Sequence, residues 1–305
     1  MSDAIRSKTI GGDSGALGSV CWCSEQSAEL CFRTSRFGLL RCRRCGCYRT
    51  DPPPLESADD ACRFYTEYYG ESRAVPAIAA PRSRFWEVVA RVPELGAPGE
   101  LAVDVGCGDG HLCAQLRTAG WRSVIGLDVA AGRIAAARNR YPDITFSHGS
   151  IDALGLSVGS VDLMVMDNVV EHLTDPLGMV RQLASWLRLD AGRMVLITPN
   201  MESGHFRLLG RRWTPELAPH AHVYLFTPAA LAQLASAAGL EVEKSGTFHL
   251  PLVPWPMWRE TITGGAVKEM VWRLGQEAGA VYGRLLGAGP MQFVVGRRGS
   301  SPGCN

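Results

Sequence analysis

From residue 100 onward the sequence predicts a doubly wound α/β fold, in which helices cover both faces of a parallel sheet. Two observations support this prediction: short apolar runs alternate with helical segments, and a glycine-rich turn follows the first apolar run. The composition can supply the core of such a fold, because hydrophobic residues make up 46% of the 305 residues and charged residues only 20%.

The apolar runs are short and rich in Val, Leu, Ile and Met, as buried strands are. The sequence predicts seven strands, at residues 101–105, 123–129, 144–147, 161–166, 193–198, 240–245 and 292–296. Helices are predicted between them, at residues 110–119, from the end of the second strand to about 141, at 176–187, at 228–238 and within 250–290.

The remainder of the chain divides by composition. Residues 1–18 are rich in Gly, Ser and Asp and are expected to be disordered, and residues 19–54 contain most of the cysteines and end in prolines. Residues 55–99 are predicted to form a mainly helical connector. Residues 100–300 are predicted to form the α/β domain, with insertions at 201–227 and 249–290, of which 201–227 is too long for a simple turn.

The glycine-rich turn contains the strongest chemical signal. Gly106, Gly108 and Gly110 follow the first strand, Asp104 lies inside that strand, and the second strand ends at Asp128. Ligands of open α/β sheets bind at the carboxyl ends of the strands, where an acidic residue can accept both hydroxyls of a ribose. The spacing differs from that of dinucleotide-binding loops, and no Lys-Ser/Thr pair follows, which excludes a P-loop. A structural turn with two capping aspartates is the alternative.

The segment Val103–Gly110 resembles the first motif of class I S-adenosylmethionine-dependent methyltransferases. Three further segments resemble later motifs of this family in the same order: 149–152, 162–176 and 192–200. The resemblance covers about residues 60–297 and implies a seven-stranded Rossmann-like methyltransferase sheet, with residues 55–99 capping the cofactor. The expected reaction is an in-line transfer of the methyl group from the sulfonium of S-adenosylmethionine.

The resemblance also implies which residues bind the cofactor. They lie at the carboxyl ends of the first four strands, and in this family the acidic residue after the third strand recognises the adenine amino group. The expected cofactor-binding residues are Asp104, Gly106, Cys107, Gly108, Asp128, Val129, Ser150, Ile151, Asp152, Asp167 and Asn168.

The loop after the fourth strand is similar to that of ubiquinone-type O-methyltransferases, in which a Glu-x-x-Glu-His pattern is associated with a divalent metal. Here Asn168 stands at the first position, ahead of Glu171 and His172. The sequence therefore leaves open whether Glu171 and His172 hold a catalytic metal, act in catalysis or pack structurally beside the cofactor.

The segment 201–227 contains Trp213, His220, His222 and Tyr224, and in the family this insertion covers the substrate. A histidine near the methyl acceptor can remove its proton, since a neutral imidazole is available near pH 7. His220 and His222 therefore join Glu171 and His172 as candidate catalytic residues. The alternative is that either histidine only packs within the insertion.

Six of the ten cysteines lie between residues 21 and 47. Clustered cysteines in a reducing compartment bind metal more often than they form disulfides. Two close pairs present four thiolates to a tetrahedral Zn²⁺, so Cys21, Cys23, Cys42 and Cys45 are the expected ligands. Cys31 or Cys47 could replace one of them, and a set of free thiols in a small core is the alternative.

Cysteines with a Cys-x-x-Cys-Gly turn, followed by prolines, resemble an N-terminal element of methyltransferases from natural-product and sugar biosynthesis. The expected role of this zinc-ribbon-like module is structural or substrate-gating, because protein ligands would fill all four zinc positions. The proline connector at 52–54 predicts that the module is separate from the α/β domain, so that loss of zinc would leave that domain folded.

A formal net charge of +1 gives no reason to expect a nucleic acid as partner. No run of about 18 apolar residues and no secretory signal is present, so a cytoplasmic location without transmembrane segment is expected. The proline-rich aromatic stretch 251–258 is either a substrate wall, ordinary core or a contact surface. A homo-oligomer or a carrier-protein contact through this stretch is left open.

The sequence thus predicts an S-adenosylmethionine-dependent methyltransferase that acts on a small, apolar or specialised metabolite, at an O, C or N acceptor. A methyltransferase fold that has lost activity and serves as a binding or regulatory subunit is the alternative. An NAD-dependent oxidoreductase is the third possibility, which the glycine spacing disfavours.

Overall fold

The computed structural model of the chain describes residues 21–35, 37–69, 83–210, 218–249 and 266–299. Three features singled out in the sequence lie outside these residues: the N-terminal segment 1–18, Trp213 and the aromatic stretch 251–258.

A seven-stranded sheet forms the centre of the molecule, as predicted. Its strands are arranged in the order β10-β11-β8-β7-β4-β5-β6. The five strands from β4 to β8 are parallel, while β10 and β11 form an antiparallel pair at one edge, and β11 is antiparallel to β8. The bounds are β4 (Leu101–Val105), β5 (Ser123–Asp128), β6 (Thr145–His148), β7 (Leu163–Asp167), β8 (Arg193–Pro199), β10 (Leu240–Phe248) and β11 (Met291–Arg298).

Helices connect the strands and precede the sheet. They are α1 (Ala58–Tyr69), α2 (Phe85–Val89), α3 (His111–Thr118), α4 (Ala131–Arg140), α5 (Pro176–Trp186), α6 (Gly204–Leu209), α7 (Pro228–Ala237) and α8 (Ala266–Leu285). Two of them begin with a proline in the first turn and a side-chain cap, since Asp175 accepts a hydrogen bond from the Gly178 amide and Thr227 from the Ala230 amide. Within the described ranges, no helix is long and apolar enough to cross a membrane.

Alternation along the strands divides the core into two layers. In β7, Met164 and Met166 belong to one apolar cluster, whereas Leu163 and Val165 belong to the other. Both faces of the central strands are therefore buried, as expected where helices cover a parallel sheet on both sides. The first layer contains α5 and α7, and the second contains α2 and α3.

A second, four-stranded sheet contains the cysteine module. Its order is β1-β2-β3-β9, with β1 (Ala28–Arg33), β2 (Gly38–Cys42), β3 (Tyr48–Asp51) and β9 (Tyr224–Leu225). Strand β9 comes from the insertion that precedes α7, so the two parts of the chain share one sheet. Four module cysteines also belong to the first apolar layer of the central sheet. The expectation that the proline connector separates the module from the α/β domain is therefore wrong, because long-range pairing and packing join them.

Candidate functional site

The glycine-rich turn after β4 brings the backbone close to the rest of the site. Gly106 and Gly110 have φ of 76° and 79°, which residues with a Cβ rarely adopt. A Cβ on Gly106 would lie 2.3 Å from the Val169 side chain, and one on Gly110 would lie 2.6 Å from Phe146. The turn is therefore packed directly against the loop that follows β7, and only glycine fits at these two positions.

Asp128, at the end of β5, shapes this turn. Its Oδ2 accepts a hydrogen bond from the Gly108 amide at 2.9 Å, and its Oδ1 accepts one from the Ala130 amide at 2.8 Å. A carboxylate oxygen can accept two hydrogen bonds, so each oxygen retains a position for a ligand hydroxyl. The structure thus places Asp128 and Gly108 together at the carboxyl ends of neighbouring strands.

Asp104 lies inside β4 and is 3% exposed. Burial, together with the negative charge of Asp167, raises the pKa of its carboxyl group to about 7. The Cys113 thiol donates a hydrogen bond to Oδ2 at 3.6 Å. A buried carboxyl group with a raised pKa becomes ionised more readily when a cationic ligand binds beside it.

This raised pKa predicts that binding of a cationic ligand is linked to pH. Without ligand, Asp104 should be largely protonated below pH 7. Because its pKa is higher in the folded state than in the unfolded state, its contribution to the free energy of unfolding should be lost as the pH rises from its unfolded pKa through about 7. An adjacent ammonium or sulfonium favours the ionised form, so affinity should rise with pH through about 7, and binding at pH 6 should release a proton. Calorimetry with S-adenosylmethionine in buffers of different ionisation enthalpy measures this release. Proton release that persists in Asp104→Asn would contradict the assignment to Asp104.

The remaining predicted cofactor residues follow β4, β5, β6 and β7. Ile151 is buried at the start of a short 3-10 turn, while Asp152 is exposed and accepts hydrogen bonds from Ser150 at 3.4 Å and Gln182 at 3.2 Å. Cys107 is buried, and Val129 directly follows β5. All of these positions lie at the carboxyl edge of the parallel strands.

Asp167 ends β7, and its Oδ1 accepts a hydrogen bond from Arg84 Nε at 2.7 Å. The following residue, Asn168, has a φ of 57° and a buried Oδ1 with no hydrogen-bond partner among the described residues. Sequence reasoning missed Arg84, because nothing local in the sequence marks an arginine 83 positions before its partner.

Helix α1 lies over this edge of the sheet. The Cys62 thiol points to the Val129 carbonyl at 3.9 Å, at the end of β5. Three residues further along, the Tyr65 hydroxyl lies 2.6 Å from His172 Nδ1, in the loop after β7. Because one helix contacts the loops after both strands, it covers the opening between them. The sequence predicted the helix, but nothing in its apolar pattern distinguished the Tyr65 hydroxyl as a site group.

Three of the four predicted catalytic residues come together beneath α1. The rings of His172 and His222 lie 4.7 Å apart, and Glu171 Oε1 lies 4.0 Å from His172 Nε2. One ligand atom from each of Glu171, His172 and His222 fits within a group whose members are all within 4.8 Å of one another. His220 is exposed and instead faces the Phe64 ring, with 6.4 Å between centroids.

Glu171 is 1% exposed, and burial raises its pKa to about 7. Thr198, in β8, donates a hydrogen bond to its Oε2 at 2.9 Å. Its Oε1 has no hydrogen-bond partner within the described part of the chain. A buried carboxyl oxygen without a hydrogen-bond partner can accept a proton or bind a ligand at little further cost in free energy.

Burial lowers the pKa of His172 to about 4, so its imidazole is neutral near pH 7. The Ala221 carbonyl lies 3.2 Å from Nδ1. A hydrogen on Nδ1 would be donated to the Ala221 carbonyl and leave the lone pair on Nε2, whereas a lone pair on Nδ1 would accept from the Tyr65 hydroxyl at 2.6 Å and leave the hydrogen on Nε2. In both tautomers Nε2 lies 4.0 Å from Glu171 Oε1.

The structure also gathers the four cysteines expected to bind zinc. The Cys21 and Cys45 sulfurs are 3.6 Å apart, as are those of Cys23 and Cys42, and all four sulfurs lie within 4.8 Å of one another. Sulfurs about 2.3 Å from a tetrahedral zinc ion are about 3.8 Å apart, so the four residues fit this metal.

Two other cysteines of the module point elsewhere. Cys31 faces the Glu29 carbonyl at 3.8 Å, and Cys47 faces the Leu225 carbonyl at 3.4 Å. Neither belongs to the four-sulfur group.

Comparison with known proteins is consistent with this geometry. A profile of the methyltransferase domain family matches residues 78–245, which is more than half of the chain. A probable S-adenosylmethionine-dependent methyltransferase of Mycolicibacterium smegmatis is 34% identical over 182 residues, covering 58% of this chain and 67% of that protein. A ubiquinone biosynthesis O-methyltransferase of Cupriavidus pinatubonensis is 29% identical, covering 52% of this chain and 67% of its own length.

Among solved structures, geranyl diphosphate C-methyltransferase from Streptomyces coelicolor A3(2) superposes with a TM-score of 0.53. The match covers 79% of this chain and 100% of that chain at 13% identity, so it concerns the fold alone. The profile match and the relatives, together with the seven-stranded sheet, establish the family. This chain belongs to the methyltransferase domain family and is an S-adenosylmethionine-dependent methyltransferase.

Proposed function

We propose that this enzyme methylates a small, apolar metabolite at a site formed by the loop after β7, the segment 221–223 and helix α1. The observation that carries the proposal is the close group of Glu171, His172 and His222, of which Glu171 and His222 are buried. It is continuous with the glycine turn, because Val169 packs against Gly106 two residues before Glu171. The acceptor atom can be O, C or N, and the similarity to a ubiquinone biosynthesis O-methyltransferase supports oxygen.

In this proposal the cofactor lies along the carboxyl edge of the sheet. Asp128 accepts the ribose hydroxyls through its two remaining acceptor positions, Asp104 lies beside a cationic group of the cofactor, and Asp152 receives the adenine amino group. The full set is the one expected from the sequence: Asp104, Gly106, Cys107, Gly108, Asp128, Val129, Ser150, Ile151, Asp152, Asp167 and Asn168.

Methyl transfer from a sulfonium is an in-line displacement, in which the acceptor lone pair forms the new bond to carbon while the carbon–sulfur bond breaks. The enzyme chiefly aligns acceptor, methyl carbon and sulfur, and such alignment can supply effective molarities on the order of 10⁵ M or more. An acceptor that must lose a proton also needs a base. We assign this role to one of Glu171, His172, His220 and His222, and the mostly buried, neutral imidazole of His172 supports His172.

A second candidate role for Glu171, His172 and His222 is to hold a divalent cation. Their ligand atoms all lie within 4.8 Å of one another, which supports this role. Added Mg²⁺ or Mn²⁺ would then raise the turnover of the zinc-loaded enzyme, whereas a base mechanism predicts no such dependence.

We also propose that Cys21, Cys23, Cys42 and Cys45 hold one structural zinc ion. The support is the chemistry of the four thiols and their spacing, which suits tetrahedral coordination. When bound, zinc would fix the two chain segments that supply these cysteines.

Asp128→Ala tests the cofactor site. The change removes two hydrogen bonds to a charged acceptor, worth about 1.5–3 kcal/mol each, so affinity for S-adenosylhomocysteine should fall at least about tenfold. Calorimetry measures this, with Asp143→Ala as the control, since Asp143 is exposed and precedes β6 at the opposite edge of the sheet. Unchanged binding in Asp128→Ala would contradict the assignment.

Catalysis is separated from binding by turnover. The enzyme is incubated with isotopically labelled S-adenosylmethionine and either a small-molecule extract of cells or a panel of phenols, amines and enolisable ketones. Label in an acceptor supports the proposed activity. Tight S-adenosylhomocysteine binding without any labelled product would favour the inactive binding subunit, and binding of NADH instead would favour an oxidoreductase.

A further inference from the structure

The cysteine cluster and strand β3 belong to one hairpin. Strand β2 ends at Cys42, the turn contains Cys45, and β3 begins at Tyr48. The Cys42 amide donates to the Cys47 carbonyl at 2.8 Å, and Arg41 pairs with Tyr48 in the ladder. Whatever orders the four sulfurs therefore also sets the register of β3.

Strand β3 holds the insertion that contains His222. Tyr48 pairs with Leu225 and Arg49 with Tyr224, in antiparallel register. One residue further, Thr50 makes two bonds to the insertion: its hydroxyl donates to the His222 carbonyl at 2.8 Å, and its amide donates to the Val223 carbonyl at 3.2 Å. Thr50 is 2% exposed, so water does not compete for these bonds.

The other side of the same segment is bound to the loop after β7. The Val223 amide donates to the Glu171 carbonyl at 2.9 Å, and the Ala221 carbonyl is the acceptor near His172 Nδ1. Residues 221–223 are thus held between the cysteine module and the pair Glu171–His172. The backbone that carries the His222 ring is thus bonded on both sides.

From this juxtaposition we propose that Thr50 is a positioning residue of the acceptor site, and that the cysteine module aligns His222 through it. This inference rests on the proposed role of the Glu171, His172 and His222 group. The module is therefore a functional part of the site. Whether its four cysteines hold zinc affects the alignment of His222 at the acceptor site through β3.

The physical reason is the sensitivity of strand pairing to register. Strand side chains alternate between faces, so a shift of β3 by one residue would turn the Thr50 hydroxyl away from His222. A displacement of about 1 Å in a catalytic group can cost about 10²-fold in rate. Two bonds from one buried residue can therefore control turnover without touching cofactor or acceptor.

Thr50→Val tests the inference, since valine has nearly the shape of threonine but no hydroxyl. Turnover should fall about tenfold, while S-adenosylhomocysteine affinity and zinc content stay at wild-type values. Thr50→Ser, which keeps the hydroxyl, should restore most of the rate. Thr34→Val is the matched control, because the Thr34 hydroxyl also donates to a backbone carbonyl, that of Phe37 at 3.0 Å, but this bond lies in the turn between β1 and β2 and not between the module and the insertion.

The double variant Thr50→Val/His222→Ala distinguishes positioning from a general structural role. If Thr50 acts through His222, adding Thr50→Val to His222→Ala should change turnover little, whereas a structural role would multiply the two losses. If Thr50→Val turns over at the wild-type rate while His222→Ala is impaired, the inference about Thr50 is wrong and the proposed role of His222 stands. Wild-type turnover of His222→Ala would instead contradict the proposed role of His222.

A measurement without turnover covers the case in which Thr50→Val loses zinc. Histidine ring resonances are recorded by NMR on labelled protein, and His222 is assigned by its absence in His222→Ala. Zinc-loaded Thr50→Ser should keep the wild-type His222 shift, and metal-stripped wild type should lose it while the His111 signal stays in place. An unchanged His222 shift after zinc removal would refute the coupling.

Discussion

Replacing His172 with alanine should lower turnover by about 10²–10⁴-fold, the usual contribution of a general base, and leave affinity for S-adenosylhomocysteine nearly unchanged. His172 combines a mostly buried, neutral imidazole with a neighbouring carboxyl group. Its loss removes the proton acceptor but none of the residues proposed to bind the cofactor. The measurement is incorporation of labelled methyl group into the acceptor, with calorimetry of cofactor binding beside it.

The matched control is His220→Ala, because His220 is an exposed histidine of the same covering segment. It should retain wild-type turnover if the buried group supplies the base. Should Glu171, His172, His220 and His222 all be replaceable without loss, the enzyme works by alignment alone and the acceptor arrives already deprotonated.

The pH dependence distinguishes Glu171 from His172 as the base. The pKa of Glu171 is raised to about 7, so a rate that needs its carboxylate should fall as the pH drops below about 7. The pKa of His172 is lowered to about 4, so at saturating cofactor, where protonation of Asp104 does not limit binding, a rate that needs neutral His172 alone should stay level down to about pH 4. If Glu171 is the base, Glu171→Gln should abolish the turnover that falls below about pH 7. If His172 is the base, Glu171→Gln should leave the pH dependence of the rate unchanged.

Removal of zinc should abolish turnover, which is the second large effect. Structural zinc contributes about 10–16 kcal/mol of apparent binding free energy in zinc-finger peptides, and this energy stabilises the folded chain. Loss of the ion should release the β2–β3 hairpin, and β9 with it, because both belong to one sheet. S-adenosylhomocysteine binding should largely persist, since Asp128 and the glycine turn belong to the central sheet.

Elemental analysis should find about one zinc per chain before chelation, and added zinc should restore turnover afterwards. Cys45→Ser should lose both zinc and activity. Cys31→Ser serves as its control, because Cys31 is a cysteine of the same module that lies outside the four-sulfur group. A freshly purified enzyme that contains no zinc yet turns over normally would refute the proposal.

Local patterns in the sequence determined the central sheet. Fully buried parallel strands appear as short apolar runs, and glycines mark the turn whose backbone cannot carry a Cβ, so β4, β5, β7 and β8 were predicted within a few residues of their observed bounds. The four cysteines that come together were also the four expected, because close pairs present thiolates at fixed spacing. The sequence likewise led to the family through its ordered motifs.

Long-range pairing escaped sequence reasoning. The two-residue strand β9 has no periodicity to detect, and it pairs with a module 175 to 177 positions earlier, Arg49 with Tyr224 and Tyr48 with Leu225. For the same reason the proline connector suggested separation where the structure has a shared sheet and a shared core. The hydroxyls of Tyr65 and Thr50 lie in ordinary helical and strand patterns, so their role in the site depends on partners far along the chain.

The choice among the four candidate catalytic residues was likewise decided by tertiary structure. The sequence supplied Glu171, His172, His220 and His222 as chemically suitable groups, with no means of ranking burial. Folding brings three of them together, with Glu171 and His222 buried, and leaves His220 exposed. Desolvation moves the pKa values of Glu171 and His172 in opposite directions. Residue type and local spacing thus determined the fold, the family and the group of four cysteines, whereas desolvation and contacts between distant segments decided which side chains lie close enough to act together.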